Sequence, residues 1–168
     1  MSPHYYSVDV TWNEKRQGIM CSPELSSGQL EGEGGCIQVA TPPQFPGGIA
    51  GIWSPEHLFT ASAASCLMTT FLAVAENSNL EFSAFTCKAR GKLDLQDRQY
   101  RMTEIVLEPH ITILREEDRR KAERVIRKAE ASCLITHSVR SDVMVNPVIV
   151  VDSMPAAVND VEVEVVDG

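Results

Sequence analysis

The chain has 168 residues and a formal net charge of −8, with a sequence pI near 5.0. That length fits one domain around a single core, and 43% hydrophobic with 23% charged residues is globular usage. An acidic surface repels phosphates, which sets aside nucleic acid and anionic membrane surfaces as expected partners.

The N-terminal stretch MSPHYYSVDV is polar, without a basic flank or apolar run, so no signal peptide is expected. YYSVDVTW alternates, with Val8 and Val10 on one face. A turn around residues 13–15, a short strand over 19–22 and a third strand in GGCIQVAT predict a meander. PPQFPGGIAG, residues 42–51, is too rich in Pro and Gly for regular structure.

SPEHLFTASAASCLMTT, residues 54–70, opens a helix. Ser54 suits the N-cap, Pro55 the first helical position and Glu56 the positive end of the dipole. The helix is expected to run to about residue 76, apolar almost all round and so covered on several sides. Residues 58–75 carry no charge, a length near that of a bilayer span. Thr60, Ser62, Ser65, Thr69 and Thr70 favour a buried core helix instead, in a soluble, cytoplasmic protein.

FTCKARGKLDL places Phe85, Cys87, Ala89, Gly91, Leu93 and Leu95 on one face. Ile105, Leu107, Pro109, Ile111 and Ile113 repeat the alternation after a polar turn, predicting a long hairpin with one wet face. Residues 116–132 read as an amphipathic helix whose stripe is Ala122, Val125, Ile126 and Ala129, extended by Cys133. Its Glu117/Lys121 and Glu123/Arg127 pairs read as a solvated face. After a short turn or helix in ITHSVR, residues 142–151 predict a last strand, with Pro147 at an edge or bulge. Residues 152–168 form an acidic tail, an extra edge strand or disordered, leaving 1–151 as a single domain.

Five cysteines without a secretory signal or a C-x-x-C pair predict neither a disulfide framework nor a zinc site. No metal and no cofactor is expected. Cys87 reads as core, and Cys21 and Cys36 as structural residues on neighbouring strands. Spacing alone leaves Cys66 open between a small core residue and a reactive thiol, and Cys133 between that role and a continuation of the apolar stripe. His137 reads as a solvated or capping histidine.

Taken together, these features make a pattern: a strand meander, P-E-x-L-F on a central helix with a cysteine ten residues after the Glu, a long hairpin, and an amphipathic helix ending in a second cysteine. It resembles the OsmC/Ohr family of osmotically inducible and organic hydroperoxide resistance proteins. The matching residues are Pro55, Glu56, Leu58, Phe59, Cys66 and Cys133, and VTWNEKRQG places the family's arginine at Arg16. The resemblance implies an α+β fold intertwined as a homodimer and thiol-dependent reduction of organic hydroperoxides. Cys66 would attack the peroxide, Cys133 would resolve the product to a disulfide, Glu56 would hold Arg16, and an external dithiol would reduce the enzyme. Where peroxidases of the family have Pro after the second cysteine, this chain has Leu134.

Ten residues of helix rise about 15 Å. Glu56 and Cys66 of one helix therefore cannot both touch one small substrate, and a shared site needs Glu56 from the other subunit or a break in the helix between them. Phe45, Ile49, Ile52 and Trp53 are candidates for the wall of an apolar substrate pocket, or for plain packing. Two rival functions remain at this point: an apolar small-molecule binding protein, and a redox sensor without turnover.

Overall fold

The computed structural model describes residues 2–25 and 35–152; the expectation for the tail lies almost wholly outside the described residues. Three short strands open the fold: β1 (Asp9–Glu14), β2 (Gln17–Cys21) and β3 (Cys36–Ala40). They form an antiparallel sheet in the order β1-β2-β3. The first turn falls at Lys15 and Arg16, slightly beyond the predicted position, with Lys15 in the left-handed region at φ 47°.

Helix α1 (Pro55–Asn77) follows, then the hairpin β4 (Phe82–Gln96) and β5 (Gln99–Ile113). The hairpin closes through Asp97 and Arg98, at φ 49° and 64°, the left-handed pair that a two-residue turn needs to match strand twist. A turn of 3-10 helix, residues 116–118, leads into α2 (Arg119–Ser132) and the one-turn α3 (Leu134–Ser138).

The last predicted strand is two strands, β6 (Asp142–Val145) and β7 (Val148–Val151), both parallel to β5. The break is Asn146–Pro147, because Pro cannot donate to a ladder. Pro109, inside β5, faces that same gap. Leu107 accepts from Asn146 N–H and Ile113 from Asp152 N–H, so the odd residues of β5 turn their backbone groups toward β6 and β7. The N–H that Pro109 lacks would have met the break.

The core lies between the helices and this second sheet. Ile105, Leu107, Ile111 and Ile113 of β5 are fully buried, as are Ala63, Leu67 and Phe71 of α1 and Ala122 and Ala129 of α2. Phe71 packs at 4.8 Å from the Phe85 ring and 5.3 Å from the Phe82 ring. Gly91 is required where α1 crosses the hairpin, since a Cβ there would collide with Thr60 Oγ1 and with Met102.

Two expectations need correction. First, α1 is long and apolar enough to cross a membrane, but within one chain it is covered on one side only. Its inner stripe is sealed, while Met68 and Leu72 on the outer side are exposed. Second, Cys21 and Cys36 are bonded to each other, with their Cα atoms 4.1 Å apart. They are direct partners across β2 and β3, near the spacing of a non-hydrogen-bonded antiparallel pair. The odd cysteine count pointed away from a disulfide, but register overrides the count: two cysteines meet, and Cys66, Cys87 and Cys133 stay free.

Candidate active site

Ser54 is extended, at φ −109° and ψ 164°, and caps α1 by accepting from His57 N–H. His57 answers through Nδ1, which lies 3.3 Å from the Ser54 N–H and 2.8 Å from Ser54 Oγ. A ring nitrogen that accepts from a backbone N–H carries no proton, so the Ser54 hydroxyl donates to Nδ1. The sequence reading found Ser54 but missed His57, because the reciprocal cap is normally Glu or Gln.

The cap holds the next side chain at a cavity of about 810 Å³. Its apolar wall includes Phe45, Trp53, Leu93, Tyr100 and Met102. Phe45 and Tyr100 meet edge to face at 5.2 Å. Glu56, His57 and Arg90 are the polar contributors that matter here. Glu56 Oε2 is buried with no hydrogen-bond partner among the described residues. Ile49 and Ile52 are not among the lining residues, so the predicted set is split. Tyr100 and Arg90 come from the hairpin and could be found only by knowing that it folds back over the loop.

Arg16 stands on the other side of the helix start. Its carbonyl accepts from Thr41 N–H at 3.1 Å. Its guanidinium arm fits against Gly47, where a Cβ would come within 2.9 Å of Nε, and Gly47 has φ +75°. Arg16 shares a shallow groove with Trp12 and Pro55. Arg16 is thus placed beside the turn that carries Glu56, though no ion pair joins them among the described residues.

The two remaining site residues lie at a different place. Cys66 is half-buried midway along α1, and Cys133 is fully buried where α2 ends. The two thiols are close enough that Cys66 perturbs Cys133. Burial pushes the Cys133 thiol up, the neighbouring Thr136 pulls it down, and the nearby Cys66 raises it again. Cys133 has extended backbone at φ −72° and ψ 105°, which ends α2 and starts α3 at Leu134. The chain turns there without the proline that the resemblance led one to expect.

Cys133 also lines a cavity of about 480 Å³ with Thr136, His137, Ser141 and Arg127. Arg127 was read as part of a solvated face, and its place beside this cavity was missed. The His137 ring is tied to the Cys133 carbonyl at 2.7 Å. Cys87, packed at the core edge, is raised by burial, lowered by a backbone hydrogen bond at Glu108 and raised by the Glu108 charge. No group of three metal-ligating side chains occurs among the described residues.

The candidate residues of one chain thus lie at two separate places. The thiol pair sits at mid-helix, and Glu56 with Arg16 sits at the helix start. Neither cysteine lines the aromatic cavity.

Comparison with known proteins places the chain among OsmC-like relatives. The family model for OsmC-like proteins matches residues 48–147. The uncharacterized protein YmaD of Bacillus subtilis (strain 168) is 22% identical over 146 residues, covering 85% of this chain and 91% of YmaD. An OsmC-like protein of unknown function from Vibrio cholerae superposes with a TM-score of 0.74 at 21% identity, over 87% of this chain and 100% of that one. An organic hydroperoxide resistance protein, OsmC, from Legionella pneumophila gives 0.66 at 20% identity, over 89% and 99%.

Proposed function

From the premise that this chain belongs to the OsmC-like protein family, we propose that it is a cysteine-based peroxidase of organic hydroperoxides, working in the cytoplasm as a homodimer. The observation that carries the reading is the proximity of Cys66, on α1, to Cys133, at the end of α2, residues far apart in the chain. The hydroperoxide resistance protein among its structural relatives agrees with it.

Exposure supports this division of roles. Half-buried Cys66 is reachable by a peroxide, whereas Cys133 has no exposed surface. The Cys66 thiolate attacks the terminal peroxide oxygen, the O–O bond breaks, and the organic fragment leaves as an alcohol after taking a proton. Cys66 is left as a sulfenic acid. Cys133 attacks that sulfur, water departs, and a Cys66–Cys133 disulfide remains. An external dithiol then restores both thiols by exchange.

The attacking thiol needs a cation, and arginine keeps its charge when desolvated. Arg16, oriented by Glu56, is the proposed source, donated by the partner subunit. The N-terminal sheet supplies a reason for pairing. Val10, Trp12, Met20 and Ile37 share one of its faces by register, and Trp12 is 71% exposed. A second copy would cover that face and the open side of α1. Phe45 and Trp53 would then flank the organic part of the substrate.

The test is a thiol titration before and after one equivalent of cumene hydroperoxide. The wild-type chain is expected to lose two thiols together, whereas Cys66→Ser and Cys133→Ser should form no disulfide. Steady peroxide consumption with a dithiol separates an enzyme from a sensor. A second reading, an apolar small-molecule binding protein, is favoured by the aromatic cavity that neither thiol lines. It predicts ligand binding with no thiol lost.

A further inference from the structure

The Cys21–Cys36 pair plays no part in the reaction above. It lies on the N-terminal sheet, whereas Cys66 and Cys133 lie on the helices that cover the second sheet. Residues directly paired across an antiparallel ladder share a face. Asp9 faces Cys21, Cys21 faces Cys36, and Thr11, Ile19 and Gln38 complete the same side two residues along. That side is mostly polar. The opposite side carries Val10, Trp12, Met20 and Ile37, the surface assigned above to a second copy.

Among the described residues, little packs against the bridge. All of β1 is exposed, Cys36 is exposed and Cys21 half-exposed. The ladder beside it is complete without a covalent link, running in unbroken register from Gln17↔Ala40 to Cys21↔Cys36, and Ser22 N–H adds a bond to the Gly35 carbonyl at 3.0 Å. A bridge sealed in a core resists exchange because no thiolate can reach its sulfurs. An exposed one is open to attack, and exposed bridges are the labile or regulatory ones.

We propose that Cys21 and Cys36 form a second thiol–disulfide couple, independent of Cys66 and Cys133, that exchanges with small dithiols in the native protein. The entering thiolate attacks Cys36, the more exposed sulfur-bearing residue. A mixed disulfide forms at Cys36 while Cys21 leaves as a thiolate. The second thiol of the reductant then attacks the mixed disulfide, which frees Cys36 and yields the cyclic oxidised dithiol. Two electrons and two protons pass to the protein. An oxidised dithiol reverses the sequence.

The experiment uses the full chain carrying Cys66→Ser, Cys87→Ser and Cys133→Ser, which leaves this pair alone. Thiols are counted on native protein after dithiothreitol, and again after oxidised dithiothreitol. The expected counts are two and zero per chain, with the circular dichroism spectrum unchanged. Thiols released only in denaturant would show a sealed structural bridge and overturn the proposal, as would two thiols that persist in the oxidant. Should that variant fail to fold, wild-type protein is alkylated before and after native reduction. The second label must then appear on Cys21 and Cys36 by peptide mass; its absence there overturns the proposal equally. No peroxide enters either measurement, so failure of the peroxidase reading leaves this one standing. Conversely, Cys21→Ser with Cys36→Ser is expected to keep peroxide consumption while losing the exchange.

Discussion

Two regions of this chain carry the same alternating pattern and meet different fates. In β5, Ile105, Leu107, Ile111 and Ile113 are all fully buried. At the N-terminus, Val8, Val10 and Trp12 alternate just as cleanly yet stand 56%, 65% and 71% exposed. Hydrophobic periodicity states which residues will share a face, and it is silent on what will cover them. For β5 the cover is α1 and α2 of the same chain. For the N-terminal sheet, β1 stays exposed along its whole length among the described residues.

The comparison can be broken most forcefully in the core. Phe71→Ala removes a fully buried ring packed between Phe82 and Phe85, and should cost about 3–5 kcal/mol in chemical denaturation. Gly91→Val tests the helix–hairpin crossing. Its new side chain must displace Thr60 and Met102, for an expected loss of about 1–3 kcal/mol. Ser54→Ala removes the hydroxyl that caps α1 and should cost about 1 kcal/mol in the same assay.

A pH series sharpens the contrast further. Cys87 and Cys133 are both raised above the ordinary thiol range, chiefly by burial. The unfolded chain therefore loses these protons first as pH rises, so the reduced protein binds more protons when folded and loses stability with rising pH. That loss should begin near the free thiol value of about 8.5 and continue up through the raised native values. Cys133→Ala should flatten the decline in denaturation midpoint against pH. The smallest folding effect belongs to the other region: Trp12→Ser should change unfolding of the separate chain by less than about 0.5 kcal/mol. In sedimentation, however, it should shift the protein from dimer to monomer. A large folding penalty with an unchanged assembly would reverse the assignment of that face.

Legibility follows the same division. The α2 stripe of Ala122, Val125, Ile126 and Ala129 could be read directly and is buried, because a helix face is a local property. So were the start of α1 and the strands of the hairpin. Features that depend on distant pairing were hidden. The Cys21–Cys36 bond needs the β2–β3 register, and the cavity wall needs Tyr100 to return against Phe45. The split between β6 and β7 was half visible, since Pro147 announced an irregularity but not the parallel neighbour it interrupts. Of the candidate site, spacing left Cys66 and Cys133 open and the family resemblance singled them out, whereas the separation of Glu56 from Cys66 follows from helix length.

The interruption at Asn146–Pro147 also guards the molecule. β6 and β7 form one margin of the second sheet, and each is only four residues long. A foreign strand docking there would find two stubs separated by a residue with no N–H to offer, too little continuous backbone to template fibre growth. The break that lets β5 carry a proline thus also keeps crowded copies of this chain from zipping together along that margin.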